Sequence, residues 1–165
     1  MKHVVMSFSC FILFICLTSC SGLTLSTGSY YNDFTAKGED AKYTLTGKAR
    51  VSGASDILYM TPSENTEVTF KGKLSSLSGA VQIVYVNSGG EEAVILDTSR
   101  TRQKKIRINT VISLDKGPGR LEFRGDNITF KFDLAFTDID MKQFDYLSTE
   151  PGPGDENTSK AAENF

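Results

Sequence analysis

The thiols and the imidazole of this chain, its candidates for a thiolate nucleophile or for the usual zinc ligands, all crowd at one end. Cys10, Cys16, Cys20 and the single histidine, His3, lie in the first 20 of 165 residues, and residues 21–165 contain neither type. A body without Cys or His cannot assemble a Ser-His-Asp or Cys-His centre. It lacks the usual zinc ligands and can form no disulfide. Carboxylates, hydroxyls, cations and aromatics remain. Arg100, Arg102, Lys104, Lys105 and Arg107 place five positive charges within eight residues. Such a run could meet lipid headgroups, an anionic polymer or an acidic partner, or guard an edge strand against pairing. Asp133, Asp138 and Asp140 are hard oxygen donors of the calcium type, but no further ligand joins them in sequence. Arg124-Gly125-Asp126 spells an integrin-binding triplet whose Gly and Asp are equally explained by a chain reversal. Tyr30, Tyr31, Tyr59 and Tyr85 are candidate platforms for sugar rings, although Tyr85 sits in the most apolar stretch and is expected in the core. Nothing in sequence brings together two of the 20 acids for glycoside hydrolysis. A non-catalytic role follows as the expectation, with no cofactor and no metal.

The thiol that stands out is Cys20. Lys2 and His3 precede residues 4–17, an almost continuous apolar run of 14 residues. That is short of the ~20 residues a membrane-spanning helix needs. Small residues follow, so residues 1–19 read as a secretory signal peptide and are set aside from the fold. Leu17-Thr18-Ser19-Cys20 resembles the lipobox of bacterial lipoproteins, an aliphatic residue and two small residues before a Cys. The resemblance implies cleavage between Ser19 and Cys20, and diacylglycerol on the Cys20 sulfur with palmitate-type acylation. It also implies an exported protein anchored to the cell membrane, or to the outer membrane of a two-membrane cell. Two acyl chains at ~0.8 kcal/mol per buried methylene hold a protein on a bilayer stably.

The elements that would position the remaining candidates are strands. Residues 20–41 are rich in Ser, Thr and Gly and read as a tether, or as an extra strand if Tyr30, Tyr31 and Phe34 pack on the domain. Residues 42–51 alternate through Tyr43, Leu45, Gly47, Ala49 and Val51, the period of a half-buried strand. A turn is expected at 52–55, with further strands at 56–60, 67–74 and 80–86, the last apolar on both faces. Residues 87–90 (NSGG) signal a hairpin into 92–97. Residues 104–114 form one bent strand or two. Turns are expected at 116–119 and 124–127, before a last strand in which Ile128, Phe130, Phe132, Leu134 and Phe136 share a face. Eight or nine short strands with frequent turn signals predict an all-β antiparallel β-sandwich or jelly roll over residues 42–147. Residues 148–165, with two prolines and two glycines, read as a disordered acidic tail.

The closing third resembles galactose-binding-like, carbohydrate-binding-module-like β-sandwiches in Lys116, Gly117, Leu121, Phe123, Gly125 and the apolar run 128–136. That resemblance implies carbohydrate or cell-surface binding. This chain has no Trp, the residue such sugar sites often use, so no sugar-site residue transfers position by position. A formal net charge of −2 argues against a nucleic-acid partner. The function expected is a non-catalytic binding module at the cell envelope. The partners expected are the membrane through its lipid, and a glycan; the alternatives are an assembly protein that meets another envelope protein and, last, a hydrolase.

Mass spectrometry of the mature N-terminus should find a diacylglyceryl group on residue 20. A Cys20→Ala variant that stays membrane-bound with no change in processing would refute the anchor.

Overall fold

The computed structural model describes residues 29–39 and 41–150. Cys20, the signal segment and residues 151–165 lie outside them. Eight antiparallel strands follow in chain order: β1 (Tyr30–Glu39), β2 (Lys42–Pro62), β3 (Thr66–Ser75), β4 (Val81–Val86), β5 (Glu92–Asp97), β6 (Lys105–Leu114), β7 (Gly119–Thr137) and β8 (Phe144–Ser148). A single 3₁₀ turn, Met141–Gln143, links β7 to β8. The architecture is the all-β antiparallel sandwich expected from the alternating sequence.

Two long strands make the sandwich. β2 spans 21 residues and β7 19, and they pair along nearly their whole lengths. Residues 42–51 of β2 and 128–137 of β7 lie between β1 and β3, with β6 outside β3, giving a first layer. Residues 53–60 and 119–125 lie between β8 and β4, with β5 outside β4, giving a second. The crossing point is a paired irregularity. The register slips between Val51 and Gly53, opposite the segment 125–128. Gly53 has φ +86° and Asn127 φ +48°. Such a bulge bends both strands without breaking the pairing.

The turns expected at 52–55 and 124–127 are therefore corrected: these residues bend continuous strands. Their Gly, Ser and Asn content suits a bulge for the reason it suits a turn, since both need a residue at positive φ. The tether is also corrected. Tyr30–Glu39 form β1, paired to β2. A bulge at Asp33 (φ +53°) resets the phase, so Tyr31 and Phe34, three apart, both pack on Phe132 at ring separations of 6.5 and 6.0 Å. Ser148, placed in the tail by sequence, ends β8. Residues 105–114 form a single strand.

The core lies between the layers. Phe123 of the second layer meets Phe130 and Phe132 of the first, with ring centroids 4.9 and 5.3 Å apart in edge-on contact. Phe70 meets Phe136 at 5.0 Å. Leu45, Val51, Leu58, Leu74, Ile83 and Leu134 are fully buried around them. Truncating one such phenylalanine to Ala would cost about 3–5 kcal/mol.

Glycine sets the closest approach. At Gly72 of β3 a Cβ would lie 2.4 Å from the Asp133 carbonyl oxygen and 2.9 Å from the Leu134 Cα. Backbone cannot swing aside as a side chain can. Gly72→Ala should lower unfolding free energy by about 1–3 kcal/mol in urea titrations. Gly89→Ala, in the exposed β4–β5 turn, should change it by under about 0.5 kcal/mol.

Candidate functional site

The period-two pattern that fills the core also decides which polar side chains meet outside it. On β7, Leu121 and Phe123 point inward, so Arg120, Glu122 and Arg124 share the outer face of the second layer. β2 contributes Asp56 opposite Glu122 and Tyr59 opposite Arg120. A small shift there, with both Ile57 and Leu58 turned inward, puts Asp56 and Tyr59 on the same side. The result is a continuous chain of charge. Tyr59 Oη donates to Asp56 Oδ2 at 2.8 Å. Arg120 Nε lies 3.3 Å from Asp56 Oδ1 and donates to Glu122 Oε1 at 2.7 Å. Arg124 Nε donates to Glu122 Oε2 at 2.7 Å. Its two terminal nitrogens grip both Glu92 oxygens at 2.7 and 2.8 Å.

Glu122 is the only charged side chain buried among the described residues, and it is 2% exposed. A buried carboxylate survives only if its charge and lone pairs are met. Here each oxygen takes a guanidinium N–H. Glu92 holds Arg124 protonated far above the working range, and Arg124 in turn holds the Glu92 carboxyl below its ordinary range. Val84 and Val86 of β4 are buried but outside the core cluster, in register with Glu122 and Arg120. Apolar β4 side chains thus flank the pairs on this face.

At the end of this chain of charge opens a cleft of ≈ 360 Å³ lined by Tyr59, Asn87, Ser88, Pro118, Gly119 and Arg120. Two loops shape it. Asn87 Oδ1 accepts from the Gly89 and Glu91 amides, and its amide nitrogen donates to Glu91 and Asp115. Gly117, at φ +100°, donates its N–H to the Pro62 carbonyl. Arg120 Nε is engaged by Asp56 and Glu122, whereas its two terminal nitrogens make no hydrogen bond among the described residues. The cleft therefore offers an aromatic residue, a planar donor held in one orientation and the Ser88 hydroxyl. A second cleft of ≈ 310 Å³ is lined by Val81, Gln82, Asp97, Ser99, Arg124 and Ile128. There Asp97 accepts from Gln82 Nε2 and the Ser99 amide, which lowers its carboxyl pKa, chiefly through the Ser99 bond.

The residues singled out in sequence are dispersed. Arg100, Arg102 and Lys104 sit on the exposed β5–β6 loop, and only Lys105 and Arg107 lie on β6. Tyr31 joins the core, its hydroxyl bonded to Ser55 at 2.6 Å, and burial pushes its pKa up to about 12. Tyr85 is core, as its apolar setting implied. Tyr59 lines the cleft. The three aspartates do not converge: Asp140 caps the 3₁₀ turn, Asp138 accepts from Thr137, and Asp133 lies on the outer face of the first layer. Arg124 of the integrin-like triplet is consumed by Glu122 and Glu92. Sequence reasoning missed Arg120 and Ser88, which carry no local motif. The only signal was Arg120-x-Glu122-x-Arg124, alternating charges on a strand whose other face is apolar.

No protein-family model matches this chain, and no curated protein matches it in sequence. Solved structures that align with this chain include a family 29 carbohydrate-binding module in complex with mannohexaose. It is 13% identical, covers 67% of this chain and 79% of its own, and has a TM-score of 0.34. Oxalate oxidase in complex with glycolate is 12% identical over 90% of this chain and 72% of its own, with a TM-score of 0.39. A carbohydrate-binding module from Cellvibrio mixtus lichenase 5A in complex with cellotriose is 11% identical over 66% and 89%, with a TM-score of 0.27.

The Glu122 arrangement predicts an asymmetry. Replacing both Arg120 and Arg124 by Met should destabilise the fold by about 3 kcal/mol or more, because a buried carboxylate is left unpaired. Glu122→Gln should cost only about 1 kcal/mol. Chemical denaturation separates the two. The lowered carboxyl pKa values of Glu92 and Asp97 mean their stabilisation is complete at neutral pH. It is lost as pH falls through those lowered values. A Tm–pH profile should drop there, and less steeply in Glu92→Gln.

Proposed function

We propose that this chain is a lipid-anchored envelope protein whose sandwich is a non-catalytic module that binds glycan in the Tyr59–Ser88–Arg120 cleft. One observation carries the reading: a guanidinium fixed by Asp56 and Glu122 lies beside an aromatic side chain, and its two terminal nitrogens make no hydrogen bond among the described residues. A sugar ring offers an apolar C–H face and neighbouring hydroxyls. An aromatic surface suits the first. A planar pair of donors, oriented in advance, suits the second. The cleft volume lies within the range of small-ligand sites, about 300–1,000 Å³. Asp56 and Glu122, the two acids that engage Arg120, hold its guanidinium in place by ion pairs. Cys20 supplies the anchor, and β1 leaves about ten residues between it and the domain.

A protein partner is the second reading. Val94 on β5 and Val111 on β6 are 57% and 59% exposed, and they flank a ≈ 290 Å³ cleft between two edge strands that each pair on one side only. Exposed apolar side chains on open strand edges favour such contacts.

The mature chain should be retained on one or more polysaccharides in an envelope-glycan panel. Arg120→Lys keeps the charge but loses the planar fork, and should weaken that retention roughly tenfold. No retention on any glycan, together with a stoichiometric protein partner in crosslinking, would overturn the reading in favour of the second.

A further inference from the structure

We propose that the outer face of the first layer, on the opposite side of the molecule from the cleft, is a docking surface for a linear anionic polysaccharide. The basis is strand register, not local sequence. Residues that share a row across β2, β7, β3 and β6 are fixed by the pairings. One row runs Lys48, Lys131, Ser75, Lys105. The next runs Thr46, Asp133, Lys73, Arg107. The third runs Thr44, Ala135, Lys71, Asn109. Six cations thus fall in three adjacent rows with one acid among them, Asp133.

Like charges directly opposite each other on a sheet are destabilising. This face has two such pairs, Lys48 with Lys131 and Lys73 with Arg107. Only Lys48 has an ion-pair partner, Asp33 on β1 at 2.9 Å. Lys71, Lys73, Lys105, Arg107 and Lys131 have none among the described residues. The domain is close to neutral as a whole, so this excess is a segregation of charge. With strands about 4.8 Å apart, the row from Lys48 to Lys105 covers roughly 14 Å. Arg100, Arg102 and Lys104 extend the positive surface onto the loop that enters β6.

The chemistry of the rows selects among polyanions. They contain no aromatic side chain on which a nucleic-acid base could stack, and no apolar side chain larger than Ala135 to insert among acyl chains. A flat, hydroxyl-rich field of Thr, Ser, Asn and Lys suits a carboxylate- or sulfate-bearing sugar chain laid across it. This inference does not depend on the cleft.

Binding of the mature chain to dextran sulfate, polygalacturonate and neutral dextran tests it by titration calorimetry at low and moderate salt. Both anionic polymers should bind and neutral dextran should not. Affinity should fall as salt rises. Lys73→Gln/Arg107→Gln should weaken binding tenfold or more, with a flatter salt dependence. Lys116→Gln/Lys142→Gln, equal in charge but off this face, should leave binding unchanged. The proposal is overturned by equal binding to neutral dextran, or by an off-face pair that weakens binding as much. Tighter binding to phosphatidylglycerol vesicles or to single-stranded DNA than to either anionic polysaccharide overturns it as well.

Discussion

The pairing of β2 with β7 is the constraint on which everything else rests. Each strand is long enough to serve both layers, and each bends at the same level, where Gly53 faces Gly125. All other strands attach, directly or through one neighbour, to this two-stranded spine. Because side chains alternate with a period of two, the spine also sorts the polar groups. Its inward residues build the aromatic core that crosses between layers. Its outward residues become the buried-carboxylate chain on one side and the basic rows on the other. Core and surface chemistry are therefore two readings of one register.

Much of this fold could be read directly from the chain. The alternation through Leu45, Ala49 and Val51, and through Phe130, Phe132 and Leu134, fixes which side of each strand is buried. The turn at residues 87–90 is where its Asn-Ser-Gly-Gly composition places it. What misled was turn chemistry inside strands. Residues 52–55 and 124–127 carry the small and amide-bearing side chains of a reversal, yet they occur at paired positions, and a bulge has the same need for positive φ. Nothing local separates the two cases. Only the knowledge that the two segments face each other does. β1 was obscured in a related way. The bulge at Asp33 puts Tyr31 and Phe34 on one face at a spacing that matches no simple alternation.

The candidate sites were less legible than the fold, for a physical reason. Tyr59, Ser88 and Arg120 are distant in sequence and come together through the stacking of three strands and two loops. The cation run at residues 100–107 was visible, but three of its five cations belong to a loop. Its partners on the surface, Lys73, Lys131 and Lys48, are single residues on separate strands. A tally of charge over the domain gives near-neutrality and hides the segregation. The buried Glu122 shows the same limit. Between two arginines it reads as an ordinary solvated stretch until Leu121 and Phe123 are known to face inward.

The spine also governs when the domain can exist at all. β2 is complete by residue 62, whereas its partner ends at residue 137, and β3 to β6 lie between them. A chain made from its N-terminus must hold β2 with one flank open until nearly the whole domain has emerged. Neither layer can close before then, and the aromatic core, drawn largely from β7, arrives ahead of β8 alone. Contacts so far apart in sequence make for slow folding. Over that interval the exposed strand edges are open to wrong partners. The domain therefore depends on its surroundings for protection during synthesis in a way that its finished, well-paired sandwich does not reveal.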